Sequence, residues 1–175
     1  MTIFDGVRKG DVALAAVTTG LGALLMSENV LAGPGGEARI DSHSWLSLPV
    51  FAAATVPVLW RRRSMPAVLA VTAVALAVHV LAFGWLVRCG AGLPLAIALA
   101  YGVGRLMDGR ASWAGLVAVT GIQFLVLVRD SVAGLGVLPF TAVISAAFWG
   151  VGLYLQKRSD RDVAAVAAAP VDTFA

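Results

Sequence analysis

Two polar side chains lie in the middle of long apolar runs, where such groups are costly. His79 is near the centre of residues 66–87, and Gln123 lies in the run that follows Arg110. A histidine at membrane depth suits proton sensing or relay. We favour the alternative, a neutral imidazole hydrogen-bonded to a neighbouring helix, because neither a second histidine nor a carboxylate appears at matching depth. For Gln123 we expect helix packing.

A second polar group falls near the ends of the apolar runs and consists of Glu28, Glu37, Asp41, His43 and Asp130. Carboxylate oxygens suit Ca²⁺ or Mg²⁺, and an imidazole suits a softer metal. The spacing matches no ligand motif. A solvated loop is therefore the favoured interpretation, and we predict no metal and no cofactor.

The sequence contains no complete catalytic constellation. It has no GxxxxGK[ST] phosphate loop, no HExxH pair and no nucleophile with a recognisable partner. Its single cysteine, Cys89, cannot form an internal disulfide. We therefore predict a protein that is not an enzyme.

The composition indicates a membrane protein. Of the 175 residues, 59% are hydrophobic and 13% are charged, whereas soluble domains carry about 25% charged residues. The formal net charge of +3 comes from separated basic clusters, so we attribute it to topology and predict no nucleic-acid partner.

Six apolar intervals predict an all-α transmembrane bundle. They cover residues 12–32, 45–60, 66–87, 89–104, 111–128 and 131–156. Residues 1–158 form the predicted membrane domain, and 159–175 a flexible cytoplasmic tail. A bilayer needs about 20 helical residues, so the short fourth interval either crosses or is re-entrant. We also note small-xxx-small pairs, which can mark helix contacts, at Ala16/Gly20, Ala98/Gly102 and Ala146/Gly150.

Basic residues predict the orientation. With six crossings, both termini are cytoplasmic and the protein resides in the plasma membrane, because cytoplasmic loops carry more Lys and Arg. The cytoplasmic side then holds Arg8, Lys9, Arg61, Arg62, Arg63, Arg105, Arg110, Lys157, Arg158 and Arg161, and the outer side holds Arg39, Arg88 and Arg129. If the fourth interval did not cross, this bias would be lost.

Pro57 lies inside the second interval, where a proline kinks a helix or frees a backbone carbonyl. It is either a hinge or a tolerated proline, and we favour the second. Trp149 lies deeper than an interfacial tryptophan should, and we expect it to pack between helices.

The turn after the second interval carries a family resemblance. It reads Pro57-Val58-Leu59-Trp60-Arg61-Arg62-Arg63-Ser64-Met65-Pro66, and the fourth interval ends in Tyr101-Gly102-Val103-Gly104-Arg105. Residues 10–158 resemble the N-terminal membrane domain of actinobacterial sensor histidine kinases of the NarL-coupled, DesK-like type. In that family a P-L-x-W-R-R-R-x-P turn joins two spans. Here two residues, Ser64 and Met65, precede the final proline.

The resemblance implies an input domain without its kinase core. His43 is outside and His79 embedded, so neither matches the family's phosphoacceptor, and no kinase residue is carried over. The chain would be a stand-alone input domain, a degenerate relative or a truncated product.

Three functions follow for comparison. The first is a non-catalytic sensory or regulatory module, the second an accessory subunit of a larger membrane complex, and the third, least favoured, a transporter. The predicted partners are the lipid bilayer and either a second copy or a signalling or membrane protein.

Overall fold

A computed structural model describes residues 6–33 and 38–168. The elements are α1 (Lys9–Leu31), α2 (Ser47–Thr55) continued by a 3₁₀-helix (Val56–Trp60), α3 (Met65–Phe83), α4 (Cys89–Leu106), α5 (Gly109–Leu127), a 3₁₀ turn (Leu135–Val137) and α6 (Leu138–Ala168). The described residues contain no strand beyond an isolated bridge between Leu86 and Asp130. The predicted all-α class is confirmed.

Five helices, α1, α3, α4, α5 and α6, are long and apolar enough to cross a membrane. The second segment, Ser47–Trp60, is apolar but shorter. The bundle therefore has five to six helices that could span a bilayer. The exact number of crossings and their orientation stay predictions.

Pro57 divides the second segment into two kinds of helix. The α-helix ends at Thr55, and Val56–Trp60 is a 3₁₀-helix with this proline in its first turn. Proline cannot donate the backbone hydrogen bond that an α-helix needs, and its ring crowds the preceding turn. At about 1.5 Å per α-residue and 2.0 Å per 3₁₀ residue, the segment is about 23 Å long. It is shorter than α4, whose 18 residues make an unbroken helix of about 27 Å.

Helix α6 extends beyond the predicted domain boundary at residue 158. It continues to Ala168, so the first part of the expected flexible tail is helical. Residues 159–168 include four alanines and one arginine, which are strong helix formers and account for the extension. Residues 169–175 of that tail lie outside the described residues.

Helices α4 and α6 run in the same direction and approach closely at two glycines. A Cβ added at Gly152 would lie 2.5 Å from the Tyr101 carbonyl oxygen, and one at Gly104 would collide with the Trp149 carbonyl. Neither glycine belongs to a noted small-xxx-small pair. At Gly20 and Gly150, which do, an added Cβ meets nothing within 4 Å, because the motif does not reveal which helix face is buried.

The remaining small-xxx-small pair, Ala98/Gly102, does lie at a helix contact. An added Cβ at Gly102 would lie 3.2 Å from the Met65 methyl group, so this glycine does face α3. Trp149 is 9% exposed and donates a hydrogen bond to Ser112 of α5 (2.8 Å). Its predicted packing between helices is confirmed.

The two ends of the bundle differ in their polar residues. One end, the cap, consists of Asn29, residues 39–43, residues 84–89 and residues 129–133. It contains the three arginines predicted to lie outside, Arg39, Arg88 and Arg129. At the other end, the basic end, Arg8, Arg61, Arg62 and Arg105 line one cavity.

Candidate functional site

The cap is built around the short connection between α3 and α4. Its central residue, Leu86, exchanges backbone hydrogen bonds with the connection between α5 and α6: its N–H donates to the Arg129 carbonyl (3.3 Å), and its carbonyl accepts from Ser131 (3.2 Å). Leu86 itself is fully buried. The two connections are thereby fixed side by side.

Arg88 is the largest fully buried side chain of the described residues. Its Nε donates to His79 Nδ1 (3.0 Å), Nη1 to the Arg129 carbonyl (2.9 Å) and Nη2 to the Gly84 carbonyl (2.6 Å). A guanidinium carries only donors, so each of these contacts needs an acceptor. Arg88, which lies between α3 and α4, therefore links the end of α3 to the connection between α5 and α6.

His79 is also fully buried, between the rings of Phe51 and Phe83 at centroid distances of 5.5 and 4.9 Å. Because Arg88 Nε is a donor, His79 Nδ1 must accept, and the ring is a neutral imidazole with its proton on Nε2. Nε2 has no hydrogen-bond partner among the described residues. This geometry supports the predicted neutral histidine, although its partner is an arginine at the start of α4.

Asp130 is 2% exposed. The expectation that it lies in a solvated loop is therefore wrong. Its Oδ2 accepts from the backbone N–H groups of Arg88 (2.6 Å) and Cys89 (2.7 Å), and its Oδ1 from those of Val132 (3.0 Å) and Ala133 (2.8 Å). Helix N-termini present unpaired N–H groups and favour negative charge. The carboxylate therefore caps α4 from another part of the chain.

Asn29 attaches α1 to the same connection. Its Nδ2 donates to the Val87 carbonyl (2.9 Å), and its Oδ1 accepts from the Val87 N–H (3.1 Å). The amide thus pairs with one residue's backbone as a neighbouring strand would. Its backbone carbonyl also lies 3.0 Å from His43 Nδ1.

Asp41 attaches the connection between α1 and α2. Its N–H donates to the Trp85 carbonyl (2.9 Å), and its Oδ2 accepts from the Trp85 N–H (3.0 Å). The Trp85 N–H and the Arg39 guanidinium, 2.9 Å away, lower the pKa of the carboxyl below its ordinary value. Gly84 has φ +64°, and an added Cβ there would lie 2.6 Å from Asp41 Oδ2. Both the positive φ and the close approach of Asp41 therefore require glycine at this position.

The five residues considered as metal ligands, for which a solvated loop is the favoured interpretation, are only partly brought together. Asp41 and Asp130 both lie in the cap, but backbone N–H groups and, at Asp41, the Arg39 guanidinium occupy their oxygens. Glu37 lies outside the described residues. Across residues 6–33 and 38–168 no three His, Cys, Asp or Glu side chains are placed to hold a metal ion.

Gln123 joins α5 to α6. Its Nε2 donates to the Thr141 carbonyl (3.0 Å) and to Ser145 Oγ (2.9 Å), and all three residues are buried. This is the packing role expected from the sequence.

At the basic end, Asp11 is fully buried and accepts from Arg61 Nε (2.6 Å) and Arg62 Nε (2.9 Å). The sequence predicts these arginines only as determinants of topology and assigns no partner to Asp11. Its position in the first turn of α1, just after Arg8 and Lys9, was the available signal. The ion pairs connect α1 to the turn between α2 and α3.

The geometry of the cap favours holding helices over reacting with a substrate. Arginine does not lose its proton in proteins, His79 Nδ1 is occupied, and both oxygens of Asp130 are engaged. A general base needs a free acceptor within reach of a reacting proton. The cap instead joins the ends of α1, α3, α4 and α5 into one polar unit.

Comparison of the sequence with protein-family models and with curated proteins, and of the fold with solved structures, finds no match. The resemblance to sensor-kinase input domains accordingly stays a prediction. What stands is an all-helical chain with apolar helices compatible with a multi-pass membrane protein.

Proposed function

We propose that the chain is a non-catalytic sensory or regulatory module of the plasma membrane. It crosses the bilayer six times and has both termini in the cytoplasm. The grouping of charges supports this orientation, because arginines far apart in sequence gather at the basic end, whereas Arg39, Arg88 and Arg129 gather at the cap. An excess of basic residues marks the cytoplasmic side.

One observation carries the proposal: α6 is a single helix that connects the two ends. It begins shortly after the cap, contacts α4 closely at Gly104 and Gly152, and extends to Ala168. Helix α4 itself starts in the cap, where Asp130 binds its first N–H groups. A displacement of the cap would therefore reach the far end of α6 as a small shift of packed helices, a common form of switching.

The far end of α6 has features suited to an output. Val163 and Val166 are 68% and 78% exposed, and they lie beyond the Asp108–Gln156 contact between the α4–α5 connection and α6. Residues three apart share one helix face. The likeness to kinase input domains also supports an output at this end of α6, since in those proteins the last span leads into the cytoplasmic signalling part.

Site-specific photo-crosslinking in intact cells tests the proposal. A crosslinking residue at Val163 or Val166 should capture a kinase-like protein, a response regulator or a second copy of the chain. The matched control is Val143, which is 69% exposed on the same helix but at membrane level. Capture of a transporter or enzyme complex at Val143 alone would instead favour an accessory subunit, and no capture at Val163 and Val166 would contradict a cytoplasmic output.

A further inference from the structure

The basic end contains an open cavity of about 440 Å³ with a predominantly polar lining. Arg8 comes from the residue before α1, Arg61 and Arg62 from the turn after the 3₁₀-helix, and Arg105 from the end of α4. Three separate parts of the chain thus contribute arginines to the lining of one cavity. Tyr101 and Ser159 complete its polar lining.

The positive charge of this cavity is not balanced by the described residues. Asp11 pairs with Arg61 and Arg62, but no carboxylate within residues 6–33 and 38–168 is at ion-pair distance from Arg8 or Arg105. Asp108, the nearest acid along the chain from Arg105, contacts Gln156 instead. Like charges held together repel one another, so an anion in the cavity would be stabilising.

An apolar groove continues from the cavity toward the middle of the bundle. It encloses about 580 Å³ between α1, α4 and α6, and Arg61 and Tyr101 line both volumes. Its other walls are apolar residues, namely Leu14, Pro94, Ile97, Ala98, Phe148 and Val151. From Tyr101 to Pro94 the groove follows α4 for about 10 Å.

We propose that cavity and groove together bind one anionic phospholipid. Its phosphate lies among the four guanidinium groups, whose planar donor pairs match phosphate oxygens. One acyl chain lies in the groove against α4 and α6. A soluble phosphate compound would need the cavity alone, so the continuous apolar groove is what assigns the site to a lipid. Basic pockets between membrane helices on the cytoplasmic side are typical sites for such headgroups.

The site would act on the contact between α4 and α6. Tyr101 and Arg105 flank Gly104, and the Tyr101 carbonyl and Arg105 N–H lie closest to Gly152. A lipid there would therefore be in direct contact with the helix pair that joins the two ends. The binding site does not depend on the signalling role, only on residence in a membrane.

Native mass spectrometry of the purified full chain tests the proposal with three probes: phosphatidylglycerol, phosphatidylcholine with the same acyl chains, and glycerol 3-phosphate. Phosphatidylglycerol should bind at least tenfold more tightly than the other two. Arg105→Gln should weaken its binding about tenfold, because charge-assisted hydrogen bonds to phosphate are lost. Arg110→Gln removes an exposed charge outside the cavity and should change binding less than twofold.

Filling the groove separates lipid from free anion. Ala98→Phe should weaken phosphatidylglycerol binding severalfold and leave any glycerol 3-phosphate binding unchanged. Equal binding of glycerol 3-phosphate and phosphatidylglycerol would overturn the proposal, as would equal effects of Arg105→Gln and Arg110→Gln, which indicate diffuse attraction to the surface. If Arg105→Gln fails to fold, Arg8→Gln, at an exposed position, replaces it. The loss of phosphatidylglycerol binding in Arg8→Gln is then compared with that in Arg110→Gln.

Discussion

At the cap a single arginine is completely buried, whereas at the basic end four arginines surround an open cavity. Arg88 has acceptors for each of its three nitrogens, and all of them are neutral groups of the protein. Arg105 has no carboxylate partner in the described part of the chain. Burying a charge is costly unless it is hydrogen-bonded. At the cap the protein itself supplies the hydrogen-bond acceptors of the buried arginine. The basic end leaves binding capacity for something else.

The largest expected effect comes from replacing the buried arginine. Arg88→Leu would leave His79 and two backbone carbonyls without donors in a buried site, which should cost about 3 kcal/mol or more of folding free energy. Arg105→Leu at the basic end should cost less than about 0.5 kcal/mol, as at most surface sites. Thermal unfolding in detergent measures both, and equal shifts in Tm would abolish the distinction between the two ends.

The contact that connects the two ends gives the second prediction. Gly152→Val places a side chain against the backbone of α4 and should destabilise the protein by about 2 kcal/mol. Gly150→Val on the same helix has the same change in helix propensity but meets open space. We expect Gly150→Val to leave Tm nearly unchanged. A similar loss for both variants would mean that propensity, rather than the close approach of α4, determines the effect.

Much of the bundle follows from residue types and spacing. Apolar runs separated by basic clusters predict the helices, because a bilayer and a helix fix the length of each run. Gln123 and Trp149 pack as expected, since a polar group in an apolar run has few partners except another helix. The flanking charges of α4 shorten its apolar run, so the sequence is compatible with either a crossing or a re-entrant segment there.

The cap could not be predicted to the same degree. Arg88 has the sequence position of an ordinary loop charge, and only the tertiary structure shows that it turns inward to His79. The sequence places Asp130 with Asp41 among the solvated acids, yet Asp130 caps a helix that begins 41 residues earlier in the chain. Such contacts between distant residues leave no periodic signal.

The two buried carboxylates, Asp130 in the cap and Asp11 at the basic end, give a smaller expected difference in stability. Asp130→Asn should cost about 2 kcal/mol, because its partners are fixed backbone N–H groups and an amide NH₂ cannot accept from them. Asp11→Asn should cost less, about 1 kcal/mol, since the asparagine oxygen can still accept from Arg61 and the Arg62 side chain, 36% exposed, can turn toward water. Urea unfolding of both variants in the same detergent tests the order, and the reverse order would contradict it.

The smallest effect concerns pH at the rim of the cap. The folded state lowers the pKa of Asp41 from its ordinary 3.8, so the unfolded state binds the proton more tightly. The stability from this contact is present above pH 3.8 and is lost as pH falls through the lowered value. The difference in Tm between the wild type and Asp41→Asn should therefore shrink on acidification. A constant difference from neutral pH to pH 3 would contradict the assignment.

The 3₁₀-helix that contains Pro57 also affects the lipid around the protein. A segment of about 23 Å is shorter than a hydrocarbon core of about 30 Å. If it crosses, hydrophobic mismatch must be relieved by local thinning of the bilayer on that side, at a fraction of a kcal/mol per Å. The protein would then prefer thin membranes, in which the longer helices α1 and α6 adapt by tilting, whereas bilayers of longer acyl chains would oppose the short segment.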